Sequence, residues 1–200
     1  MGESAIRPET LVPFLIFFVI AAAFFVFIVA QSKKWQKKFE AIAGALGGEA
    51  VGGFLQSSRY VKIINSGLEQ KIRVLPGGKD RPSYLALEQL SDLDFDLSVT
   101  KENVIGRGLE KLGLHFETKV GDPEFDNKYS VTSRSREKAQ MFLLSPERRM
   151  ILDAVFKEGF NSVKVVKGMV SFRKPLFDQN LDPAALKNLL DLLRKFTTGQ

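Results

Sequence analysis

Three acids at alternate positions, Asp122, Glu124 and Asp126, are the residues of this chain best spaced to hold a cation. Carboxylates at the first, third and fifth places of a loop resemble the start of an EF-hand. The pattern then departs from it. Asn127 stands where the loop needs glycine, Lys128 follows, and Ser133 fills the twelfth place, where a bidentate Glu would close the site. Pro123 and Phe125 suit a rigid turn with an aromatic plugged into a core, so the acids read as turn chemistry. His115 is the single histidine. Glu117, two residues on, would share its face of an alternating strand, but a triad would also need a Ser or Thr nucleophile, and nothing in the sequence selects one. Asp92, Asp94 and Asp96 also share one strand face and read as a solvated edge. Gly77-Gly78-Lys79 lacks the upstream glycine of a phosphate loop, and Asp80 follows the lysine. There is no cysteine, which removes disulfides, thiolate metal sites and a Cys nucleophile. The expectation is no catalytic residue, no cofactor and no metal. The alternative is a membrane-surface enzyme using the acids of Asp122 to Asp126 with His115.

The elements that must position any site begin with an apolar run, Leu11 to Ala30, which holds no charge, amide or hydroxyl. A helix of that length is about 30 Å long, the thickness of a bilayer core. Its Leu, Ile, Val and Phe residues favour insertion by roughly 5–9 kcal/mol. A cleaved signal peptide would have a basic leader, a shorter apolar core and a small-residue cleavage site, so a retained single span is expected. Residues 1–10 form a short tail in which Arg7 is the single basic side chain. Lys33, Lys34, Lys37 and Lys38 follow the run, which predicts a cytoplasmic C-terminal side and an external N-terminus. Trp35 among them suits the headgroup layer, so Lys33, Lys34, Trp35, Lys37 and Lys38 are the candidate membrane-interface residues. The net charge of +6 is partly this cluster. No recognition motif accompanies it, and no nucleic acid is expected.

Beyond the run, Trp35, Phe39, Ile42 and Leu46 form one helical stripe. Two readings stay open: a helix lying on anionic lipid, or a continuation of the membrane helix whose stripe rests on the domain. Gly44, Gly47, Gly48, Gly52 and Gly53 then predict a helix stop and a flexible hinge, so that residues 31–53 form a juxtamembrane helix and tether. Residues 54–200 read as one domain. Alternating segments at 60–64, 71–75, 83–88 and 94–99 predict antiparallel strands. A short helix is expected within 101–114, followed by strands at 115–120 and 129–132. Two helices follow. The first carries Ala139, Phe142 and Leu143. The second is capped by Ser145-Pro146 and stopped by Gly159. A hairpin turns about Lys167-Gly168, and a last helix begins at Asp182-Pro183 with Leu186, Leu189, Leu190, Leu193 and Phe196 in one stripe. Strands first and helices later give an α+β fold with an antiparallel sheet and C-terminal helices.

The stretch Gly121-Asp122-x-x-Phe125-Asp126-x-x-Tyr129-x-Val131, with Ala139 and Leu144-Ser145-Pro146-Glu147 after it, resembles a segment of uncharacterised bacterial membrane-anchored proteins. The resemblance covers about forty residues and implies a bacterial inner-membrane location and an α+β domain. It implies no activity and no site residues. The function expected from the whole is a single-pass protein whose cytoplasmic domain binds a protein partner or the membrane surface, with the bilayer contacted through Leu11 to Ala30.

Overall fold

The structure, a computed structural model, describes residues 8–52, 59–77, 82–101, 118–176 and 181–199. The apolar run and the basic stretch behind it form one continuous helix, α1 (Pro8–Leu46), of 39 residues. Its first half leaves large apolar side chains exposed all round, from Phe14 at 67% to Ile28 at 42%. It is long and apolar enough to cross a bilayer. Its second half changes character. Phe39, Ile42 and Ala43 are buried in the domain core, and Trp35 and Leu46 pack against it. Of the two readings of this stripe, the structure adopts the one in which the membrane helix continues and rests on the domain.

The glycine-rich segment departs from the hinge expected of it. Gly47 ends α1 at φ +66°, and the Gly48 amide donates to the Ala43 carbonyl at 2.8 Å. A Cβ on Gly48 would lie 2.5 Å from the Lys62 carbonyl oxygen. A strand follows at once, β1 (Glu49–Val51), paired antiparallel to β2 (Tyr60–Asn65). Gly47 supplies the positive φ that stops the helix, and Gly48 allows the close approach of two backbones. Helix end and sheet therefore share one core, so the domain begins well before residue 54. Gly53 lies outside the described residues.

Six more strands complete the sheet: β3 (Leu68–Leu75), β4 (Ser83–Leu90), β5 (Leu97–Lys101), β6 (Tyr129–Thr132), β7 (Ser162–Val166) and β8 (Met169–Leu176). The order is β1-β2-β3-β4-β8-β7-β5-β6, and every pairing is antiparallel. The hairpins β2–β3 and β7–β8 turn on Ser66-Gly67 and Lys167-Gly168. All four residues have positive φ, the two-residue geometry that matches strand twist. One row runs in register across seven strands: Val61, Ile72, Leu87, Phe172, Val163, Val99 and Val131. None is more than 1% exposed. This row is the floor of the core.

Among the described residues, four further helices accompany the sheet: α2 (Pro123–Lys128), α3 (Arg136–Leu143), α4 (Pro146–Lys157) and α5 (Pro183–Thr198). Asp182 caps α5 by accepting from the amides of Ala184 and Ala185, and Leu186, Leu189, Leu190, Leu193 and Phe196 are all buried. Gln70, fully buried on β3, donates to the Leu190 carbonyl at 2.8 Å and to Gln89 Oε1 at 2.7 Å, tying α5 to the sheet. Arg148 binds three helices together. It donates to the carbonyls of Phe142 and Phe196 and stacks 4.0 Å from the Phe142 ring.

Two local expectations change. The strand read from Asp94 starts only at Leu97, because Phe95 turns into the core and Asp94 pairs with Lys138. Asp92, Asp94 and Asp96 thus lie on a loop rather than a strand edge. Of the strand expected over 115–120, residues 118–120 are not in a strand, although the Thr118 amide reaches the Val131 carbonyl. His115, Glu117 and the helix expected before them lie outside the described residues, apart from Lys101, which ends β5.

Candidate membrane interface and polar sheet face

The acids first considered for chemistry are all engaged in local structure. Asp122 is the N-cap of α2, accepting from the amides of Glu124 and Phe125, and it also pairs with Arg149. Asp126 accepts from the amides of Val120 and Gly121 at 2.9 and 3.1 Å, closing the chain onto the turn. Glu124 pairs with Lys128 at 2.6 Å, one turn on. Phe125 is buried and meets the Tyr129 ring at 4.9 Å. Tyr129 in turn stacks on Phe156 and donates to Asp153. Burial first, then the Asp153 carboxylate, push the Tyr129 hydroxyl well above its ordinary value. The segment Gly121 to Val131 is thus a folding knot, with each side chain that marks it spent on a cap, a turn or the core. The pocket of about 200 Å³ over Asp122, Arg149 and Asp153 is lined by charges that already have partners. Among the described residues, no three His, Cys, Asp or Glu side chains are grouped to hold a metal.

The candidate interface residues lie on the turns of α1 between the apolar run and the core. Lys33, Lys34 and Lys37 are exposed, and Lys38 lies over the Trp35 ring at 5.3 Å. Trp35 is half-buried, its ring 6.0 Å from that of Phe39. One residue joins them that the sequence did not single out. Arg59, at the start of β2, donates to both the carbonyl and the hydroxyl of Ser32, two residues past the apolar run. From that staple, helix and strand run off together: Ala45 and Leu46 share a cavity wall with Ile63, Ile64 and Asn65. The strands therefore lead away from the apolar end of α1, and the sheet stands on edge to it.

The face of the sheet opposite the core row is polar. Two rows cross it in register. The one nearer Arg59 holds Tyr60, Arg73, Ala86, Arg173, Ser162, Thr100 and Ser130. The next holds Lys62, Lys71, Glu88, Ser171, Lys164, Ser98 and Thr132. Five cations meet two carboxylates there. Glu69 is shared by Lys62 and Lys71 at 3.0 and 2.9 Å, and Glu88 pairs with Arg73 at 3.3 Å. Those hydrogen bonds hold the Glu69 carboxyl below its usual value. Leu90, Met169 and Val166 line up across three strands at the far end, with Leu90 56% and Val166 48% exposed. The alternation of each strand carried this signal in the sequence. Which residues become neighbours needed the register.

No family model and no curated protein matches the sequence. Among solved structures, the chain is similar to the crystal structure of the mycobacterial trehalose monomycolate transport factor A, TtfA. The TM-score is 0.58 at 9% sequence identity, over 81% of this chain and 92% of that one. The likeness is one of fold, and it extends over nearly the whole of the solved chain.

Proposed function

We propose that this is a single-pass membrane protein whose domain works by binding a protein partner at the membrane, without chemistry of its own. The observation that carries the reading is the continuity of α1, which runs from an exposed apolar half directly into the domain core. A domain joined in this way has a fixed height and attitude beside the bilayer: Phe39 lies about 13 Å beyond Ala30 along the helix. Four lysines after the span against one arginine before it support a cytoplasmic domain and an external N-terminus. Lys33, Lys34, Lys37 and Lys38 then lie against anionic headgroups, joined by Arg59, with Trp35 between lipid and core. The fold shared with a transport factor adds a transport-related role, in which the domain supports a membrane-embedded partner. The resemblance of Gly121 to Val131 to bacterial membrane-anchored proteins agrees with an inner-membrane setting. The surface-enzyme alternative loses its acids, since Asp122, Glu124 and Asp126 are committed to cap, turn and ion pair.

The test is a photo-crosslinking residue placed at Val166, 48% exposed at the far rim of the polar sheet face, and, as control, at Met141, 64% exposed on α3, in intact membranes. A discrete adduct from position 166 and none from 141 is expected. Adducts at neither position, or equally at both, would sink the reading.

A further inference from the structure

We propose that the end of β3 and the start of β4 form a second lipid contact, with Leu75, Pro76 and Tyr84 seated in the headgroup layer beside α1. This deepens the single-span reading above and rests on it. The helix α1 and strand β2 meet at two heights. At the far one, the Gly48 backbone lies against Lys62 and Ile63. Leu46, which ends α1 just before it, is about 24 Å beyond Ala30 along the helix. At the near one, Arg59 reaches Ser32, about 3 Å beyond Ala30. Helix and strand therefore run side by side, and strand register measures distance from the bilayer. On β3, Lys71 and Gln70 lie opposite Lys62 and Ile63. From there to Gly77 is about 20 Å of strand, allowing a neighbour twist of 20–25°. Gly77 thus comes within about 4 Å of the level at which the apolar run ends. The headgroup layer is about 5–7 Å deep on each side. The near height agrees: Tyr60 is opposite Arg73, so Leu75, Pro76 and Gly77 project past Arg59 toward the apolar run.

The side chains there suit that layer. Residues 74–77 and 82–85 carry no charge, whereas the rows behind them hold Lys62, Lys71, Arg73 and Glu88. Pro76 and Gly77 are exposed, and Leu75, Pro82 and Tyr84 are partly so. Pro76 and Pro82 have no N–H to desolvate. The Gly77 amide donates to the Ser83 hydroxyl at 3.3 Å. This end therefore brings few unpaired backbone donors to lipid. Tyr84 stands opposite Leu75, and its ring with a polar tip is the interfacial type of side chain. Arg59 adds a cation on the neighbouring strand, within reach of phosphate.

The chain has no cysteine, so single Cys variants of the full chain can each carry one bimane fluorophore. They are placed in nanodiscs of phosphatidylcholine and phosphatidylglycerol, with and without lipid bearing a nitroxide on its headgroup. A label at Pro76→Cys is expected to be quenched at least about threefold more than one at Val166→Cys, which lies about 23 Å farther along the strands. Gly77→Cys takes the place of Pro76→Cys if that variant fails to fold, with the same result expected. Quenching at this end no stronger than at Val166 overturns the proposal. Phe24→Cys, read with a nitroxide midway down the acyl chain, tests the span itself. Strong quenching at Phe24 with none at Pro76 or Gly77 sinks this proposal and leaves the single-span reading standing. Absence of quenching at Phe24 sinks both.

Discussion

The two faces of the sheet are built from the same eight strands and obey opposite rules. Under the helices, the row from Val61 to Val131 is almost wholly excluded from water, and a buried amide pair, Gln70 and Gln89, ties α5 to the floor. On the other face the neighbours of those residues are lysines, arginines and hydroxyls with Ala86 and Glu88 among them, and among the described residues Lys164 and Arg173 have no carboxylate at ion-pair distance. The contrast places the apolar stability of the domain on one side and an uneven balance of charge on the other.

The contrast can be broken at several points. Leu190→Asp puts a charge where α5 meets the sheet. It should cost about 3–5 kcal/mol, enough to unfold a marginal domain while α1 keeps the protein in the membrane. Loss of the far-ultraviolet melting transition in solubilised protein, with unchanged membrane pelleting, is the expected pair of results. Gly48→Val tests whether the end of α1 is locked to β2. A Cβ 2.5 Å from the Lys62 carbonyl should cost about 1–3 kcal/mol, whereas a slack tether would tolerate it.

Tyr129→Phe removes the hydroxyl bonded to Asp153 and should cost about 1 kcal/mol near neutral pH. The folded-state pKa of Tyr129 is raised above its ordinary 10.0. Its contribution is therefore complete below pH 10 and fades as pH rises toward the folded value. Wild-type protein should lose this increment in alkaline melts, and the Phe variant should not. The smallest effect has the opposite sign. Lys164→Met removes a half-buried like charge and should stabilise by about 0.5 kcal/mol, a rise of about 1–2 °C in Tm. Because the Lys164 pKa is lowered by folding, the gain is full at neutral pH and shrinks as pH climbs past the folded value. A loss of stability in this variant would mean that the Lys164 side chain serves folding after all.

Periodicity and turn chemistry made most elements legible. Asp182-Pro183 and Ser145-Pro146 mark helix starts by cap chemistry alone, and Lys167-Gly168 marks a hairpin because its geometry needs positive φ. The hydrophobic length of 11–30 declared a helix long and apolar enough to cross a bilayer. Phe125 could be assigned to the core because a lone aromatic among turn acids has nowhere else to go. The same local reading found the helix stop at Gly47 but misjudged Gly48, since nothing in a run of glycines says whether the missing Cβ makes room for motion or for another backbone. It gave Asp92 to Asp96 a strand that Phe95 and Lys138 replace with a loop. Arg59, Gln70, Arg148, Lys164 and Arg173 were silent in sequence, because each acquires its role from a partner far along the chain. What the sequence determined by itself was the set of elements and which side of each is apolar, properties fixed by local sterics and by water. What only the tertiary structure decided was which polar residues became neighbours and which charges were left without a partner. Strand order and register are settled by long-range packing, and no local pattern encodes them.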